Sequence, residues 1–268
     1  MKYALFLILL IVFANVANSQ PKIQQTSVWA PANIKIDGDL AEWSNKNLSA
    51  YNSANRIYYV ISNDDDRLYL TVRGSGVAAG SKILKEGIKL TISHSLEKSK
   101  RSKDPRNVSV TYPGTPDARI ISFVMIPNIR IADFIKDTFK NKKQLDSLTA
   151  IANIRVESIA KEIKIQGIKD IKDSVLSIYN AVGIKAAIHF LKGEPIVELA
   201  IPLKYLDLTA DAPFSYNIKL PAPPQTGNFD INAMQKSGAP RQDVTGDVLY
   251  RISDTDLWGE YTLAVKQK

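Results

Sequence analysis

Apolar and polar residues alternate with a period of two along much of this 268-residue chain, which is the signature of strands that bury one face. In "RLYLTVRG" (67–74) Leu68, Leu70 and Val72 fall on one side and Tyr69, Thr71 and Arg73 on the other. "GIKLTIS" (87–93) repeats the pattern with Ile88, Leu90 and Ile92. Further strands are predicted in "EIKIQGI", "VLSIYNA", "GIKAAIHFL", "PIVELAIPL", "FSYNIKL", "DVLYRI" and "EYTLAV", with turns at "SNDDDR", "LKGEP" and "ISDTD". Many short, closely spaced strands with few helical patterns predict an all-β fold, an antiparallel β-sandwich of jelly-roll or immunoglobulin-like type. The rhythm breaks over about residues 95–155, where Ile131, Phe134, Ile135 and Phe139 recur at spacings of three and four. That stretch reads as an insertion carrying a helix and basic loops. A second irregular stretch, 220–246, is rich in Pro, Gly, Asn and Gln and too long for an ordinary turn, so it reads as a functional or mobile loop.

The N-terminal residues set an expectation of where the chain goes. One lysine, an apolar run from Tyr3 to about Phe13 and an A-x-S arrangement at Ala17–Ser19 read as a secretory signal over 1–19, cleaved after Ser19. The run is shorter than the ~20 residues that span a bilayer, and no later segment is long and apolar enough. A single secreted or periplasmic domain over 20–268, with no transmembrane segment, is therefore expected. The chain has no cysteine, which excludes disulfides and a lipid-bearing cysteine and leaves stability to burial or bound metal. Its formal charge of +8 is concentrated in "LEKSKRSKDPR" (96–106) and "KNKKQ" (140–144). Those runs lack the interleaved aromatics of a nucleic-acid surface. They read as solvated loops, with acidic polysaccharide or anionic headgroups as the functional alternative.

Sugars offer C–H faces to aromatic rings and hydroxyls to carboxylates and amides, so a sugar site needs both kinds of group together. In "IKIDGDLAEWS" (34–44) Trp43 stands beside Glu42, Asp39 and Asp37. The competing and favoured reading makes Trp43 a core plug, with Asp37 and Gly38 building a turn. Trp258, after "SDTDL", carries the same two readings, while Tyr112 in "VTYPGTPD" and Phe229 in "GNFDIN" are expected in loops. The candidate carbohydrate-binding residues are thus Trp43, Glu42, Tyr112 and Trp258. Asn63 and the metal candidates Asp64, Asp65 and Asp66 fall in one tight turn, which offers oxygens to calcium and equally suits a plain hairpin. Catalysis has little support: His94 and His189 are the only histidines, and there is no G-x-S-x-G elbow. Glu42 and Glu198 can be nominated as a hydrolytic pair, but nothing in the sequence sets them face to face.

Four stretches in order, "IKIDGDLAEWS", "DDDRLYLTVRG", "VELAIPLKYLDL" and "DLWGEYTLAV", resemble the family 9 carbohydrate-binding module-like β-sandwiches, which are related in fold to DOMON domains. The resemblance covers 34–92 and 184–265. It implies a noncatalytic module that clamps a sugar between aromatic rings, with calcium holding loops. Some DOMON relatives bind haem, for which His94, His189, Met125 and Met234 are the available axial ligands. The expected role is recognition of a carbohydrate. The alternative is a cell-envelope module whose basic insertion and Pro-rich loop meet a protein partner.

Overall fold

The alternating stretches pair into two antiparallel sheets in the computed structural model, which describes residues 21–43, 48–114, 142–223 and 244–266. The leader, the Ile131–Phe139 pattern, Phe229, Met125 and Met234 lie outside these residues. The first sheet has the order β1 (Ala50–Asn52), β2 (Ile57–Asn63), β3 (Arg67–Gly74), β9 (Glu194–Pro202), β8 (Lys185–Leu191). The second runs β11 (Thr255–Tyr261), β10 (Phe214–Leu220), β4 (Ile88–Ser93), β5 (Val108–Tyr112), β6 (Glu162–Gln166), β7 (Val175–Ser177). The period-two pattern supplies the core between them. Leu68, Leu70, Val72, Val197 and Leu199 from one sheet meet Leu90, Val110, Ile163, Tyr216 and Ile218 from the other. The all-β sandwich expected from the sequence is the fold observed.

Three helices accompany the sheets among the described residues: α1 (Gly76–Glu86), α2 (Lys142–Ile159) and α3 (Val244–Ile252). Ile83 and Leu84 of α1 and Val156 of α2 enter the main core. Ala78 and Ala79 of α1 pack on Tyr250 of α3. Two sequence expectations change here. "DVLYRI" is helix α3, not a strand: six residues with an apolar pair at its centre fit either period, and tertiary contacts decide. The buried Lys82 ammonium lies 3.0 Å from Tyr250 O, 3.1 Å from Thr255 Oγ1 and within hydrogen-bond reach of Ser253 O. It thereby satisfies carbonyls at the C-terminus of α3, where the helix dipole favours a cation, although burial lowers its pKa to about 8. The helix-containing insertion, secondly, is present as α2 between β5 and β6, but the 95–155 stretch also holds β5 itself, which lies inside the second sheet between β4 and β6. Its five alternating residues, "VSVTY", sit just after the basic run that obscured them.

A third layer covers the outer face of the first sheet. Residues 28–43 cross that face as a strap. Ala30, Ile34 and Ile36 pack with Tyr69 and Ala200, while Leu40, Val28 and Trp43 pack with Leu48, Val60 and Ile196. Leu40 is wholly buried.

Candidate functional site

The I-D-G turn at the middle of the strap is fixed by one carboxylate. Glu198 projects from β9 onto the covered outer face, and its Oε2 accepts the N–H groups of Asp37 at 3.1 Å and Gly38 at 2.9 Å. Its Oε1 lies 3.5 Å from Thr71 Oγ1. The side chain is 0% exposed. Burial pushes its pKa up to about 7, against the lowering effect of the two backbone N–H groups, and the charges of Asp37 and Glu42 push the same way as burial. Gly38 is required here: its φ is +80°, and a Cβ would stand 2.7 Å from His189 Cβ and 2.8 Å from His189 N. The turn therefore lies directly on β8. Glu42 and Glu198 do come near enough to influence each other, but Glu198 is sealed under the strap and faces no substrate.

The sequence-predicted sugar residues part company. Trp43 is half-buried against Leu40, Val60 and Ile196, and its Nε1 and the Oε2 of Glu42 are buried with no partner among the described residues. Tyr112 corrects the sequence expectation of a loop platform. It ends β5, is 2% exposed, and donates its hydroxyl to Ala160 O at 2.9 Å. The alternation of "VSVTY" carries it into the core before the chain turns, so it shows no face to a ligand. Trp258 lies on the outer face of the second sheet, half-buried, with the Arg101 guanidinium 4.4 Å over its ring. His94 and His189 belong to different strands' surroundings: His94 Nε2 lies 2.9 Å from Asp207 O, and His189 contacts Glu157 of α2.

Asp64, Asp65 and Asp66 form the β2–β3 turn. Asp64 folds it: Oδ1 accepts Asp66 N–H at 2.8 Å and Arg67 N–H at 2.7 Å, and Oδ2 accepts the Tyr69 hydroxyl at 2.6 Å. Asp65 and Asp66 remain exposed. Calcium takes six to eight oxygens, and no group of three or more metal-ligating side chains is gathered among the described residues.

This turn nevertheless borders a site. Residues 28–30 run beside the end of β2, with Asn63 N–H donating to Val28 O at 3.1 Å and Ala30 N–H donating to Asn63 O at 2.8 Å. On the other side, the Asn63 side chain accepts Ala264 N–H at 2.7 Å and donates to Ala264 O at 3.1 Å. One asparagine thus holds the start of the strap and the segment after β11 against the same strand end. Between them lies a groove of about 1040 Å³ lined by Trp29, Tyr69, Asp64, Asp65, Asp66 and Lys266 among others. Trp29 is half-buried there, like Trp43 and Trp258, but its surroundings include the exposed Asp65 and Asp66. The groove lies at the β2–β3 turn, the opposite end of β3 from α1. Sequence reasoning weighed the acidic turn but missed Trp29 as its partner. The available signal was that Trp29, in "SVWAPAN", is the tryptophan outside the fold motifs.

Fold and geometry together define a strapped β-sandwich with a groove lined by an aromatic ring and carboxylates at its loop end. No protein-family model matches the chain, and a comparison with curated proteins finds no match. Among the described residues, no helix is long and apolar enough to cross a membrane.

Proposed function

We propose that this is a noncatalytic carbohydrate-binding protein of the family 9-like type, exported from the cytoplasm, which takes a sugar in the loop-end groove. The observation that carries this reading is that the half-buried Trp29 ring and the exposed carboxylates of Asp65 and Asp66 line one groove, a space of the size small-ligand sites occupy. The ring receives a C–H face, Asp65 and Asp66 accept hydroxyl protons, and the fixed Asp64–Tyr69 pair forms a rigid wall. No step of this recognition runs through calcium. Trp43 and Tyr112 serve the fold in this reading, and the site moves from the E-W motif to Trp29.

A glycan-array screen of the chain from Gln20, with and without calcium, followed by titration of Trp29→Ala, tests it. Binding to a sugar class that is lost in Trp29→Ala supports the reading; binding that Trp29→Ala leaves intact removes the groove as its place. A second reading, an envelope module for a protein partner, is favoured by α2, which leaves Ile151 40% and Ile154 70% exposed on neighbouring turns. A chain that binds no glycan but retains a partner through these isoleucines would establish it.

A further inference from the structure

The outer faces of the two sheets are treated differently: the first lies under the strap, whereas the second carries polar side chains in cross-strand rows. Strand register lines them up. Trp258 pairs with Asn217, Asn217 with Thr91, Thr91 with Ser109, and Ser109 with Gln166. One step along the strands, Asp256 pairs with Lys219, Lys219 with Lys89, Lys89 with Thr111, and Thr111 with Lys164. The alternate positions, Leu90, Val110, Ile165 and Ile218, fill the core, so these rows face outward.

The lysine row is unusual. Like charges directly opposite one another destabilise a sheet, yet Lys89 stands opposite Lys219 with Lys164 two strands further on. Lys219 has an acidic partner, Asp254, at 2.6 Å. Lys89 has no ion-pair partner among the described residues, and its pKa is lowered first by burial and then by the charges of Lys219 and Lys164. Short hydroxyl side chains, Thr91, Ser109 and Thr111, lie between the lysines and the longer Gln166, Asn217 and Trp258. Asn217 and Ser109 are buried beneath these side chains, and both hydrogen bonds of the Asn217 amide stay inside the protein. With Lys219 held by Asp254 and facing Asp256, Lys89 and Lys164 are the cations whose repulsion a bound anion would relieve.

We infer that this face is a second binding surface, separate from the Trp29 groove, for an acidic oligosaccharide laid across the strands with its carboxylate or sulfate groups at Lys89, Lys164 and Lys219. A sugar chain fits better than a bilayer, because these cations are set into a sheet face and the large ring beside them among the described residues, Trp258, is covered by Arg101. A nucleic acid would need open stacking rings, which this face lacks.

The test is titration of the full chain with a chondroitin sulfate hexasaccharide and with its desulfated form, at low and at physiological salt. Variants are Lys89→Gln with Lys164→Gln, Lys164→Gln alone, Lys98→Gln with Lys100→Gln on the exposed loop, and Trp29→Ala. The expected result is salt-sensitive binding that weakens about tenfold or more in the double face variant, weakens measurably in Lys164→Gln, and is unchanged by the loop and groove variants. The desulfated form tells whether sulfate or uronate carboxylate is read. Lys164 is exposed, so its single variant reports even if Lys89→Gln disturbs folding. The inference is overturned by absence of binding at low salt, by an equal loss in the loop variant, or by phosphatidylglycerol vesicles that bind with the same dependence on Lys89 and Lys164. Loss on Trp29→Ala alone would assign the oligosaccharide to the groove and overturn the face, so the two sites stand or fall separately.

Discussion

Replacing Glu198 with glutamine should remove a specific pH dependence of stability. The folded carboxyl has its pKa raised from 4.5 to about 7, so between those values the folded state holds a proton that the unfolded state has released. Stability that depends on this group is complete below about pH 4.5 and is lost as pH rises to 7, because the unfolded state binds fewer protons throughout that window. At 1.36 kcal/mol per unit the loss is about 3 kcal/mol. Glutamine keeps an oxygen for the Asp37 and Gly38 N–H groups and can turn its amide toward Thr71 Oγ1, but it does not ionise. Other groups titrate alike in both proteins, so the difference between them isolates Glu198. Denaturant midpoints of wild type and Glu198→Gln at intervals from pH 4 to pH 8 are the assay. The stability of the variant relative to wild type should rise by about 3 kcal/mol across the range, or about 6–12 °C in melting temperature for a domain of this size. A difference that stays flat with pH would refute the sealed, proton-holding carboxyl under the strap.

Gly38→Ala should cost more than about 2 kcal/mol by chemical denaturation, since its Cβ meets the backbone of His189 and its φ is left-handed. Trp43→Ala should destabilise by about 3 kcal/mol while leaving sugar affinity unchanged, and Trp29→Ala should do the reverse; calorimetry and a glycan titration on both variants separate the two roles. Asp64→Ala should lower stability by about 1–3 kcal/mol, because it removes the acceptor of the Asp66 and Arg67 N–H groups and of the buried Tyr69 hydroxyl. A chelator should leave the melting temperature of wild type where it was, measured by scanning fluorimetry.

The sandwich was legible because its strands alternate cleanly. Leu68, Leu70 and Val72 need no partner information to be placed on one face, and the core they enter is the one observed. Helix α1 was not legible: "GVAAGSKILKE" mixes small, apolar and charged residues, and its identity depends on Ile83 and Leu84 finding the core while Lys82 finds the carbonyls that end α3. Tyr112 was misplaced because Pro113 and Gly114 mark a turn without showing how far the strand runs before it. The groove was half legible. The acidic turn was visible as "SNDDDR", but Trp29 reaches it through the Asn63 backbone pairing between segments more than thirty residues apart, and no local pattern encodes that contact.

The E-W motif has a structural role in closing the strap over the first sheet. A sheet in a two-layer sandwich has a wet outer face, and a carboxylate placed there, like Glu198, would ordinarily stay ionised in water. Here the strap covers it, and the apolar residues of "IKIDGDLAEW" are what hold the cover down: Ile34 and Ile36 on one side of the turn, Leu40 and Trp43 on the other. The D-G pair supplies the two N–H groups that a buried acceptor requires. Ile34, Ile36, Gly38, Leu40 and Trp43 thus each have a packing or hydrogen-bonding task in closing the third layer, and the two proposed binding surfaces lie where the strap's core does not reach, at its beginning and on the opposite sheet.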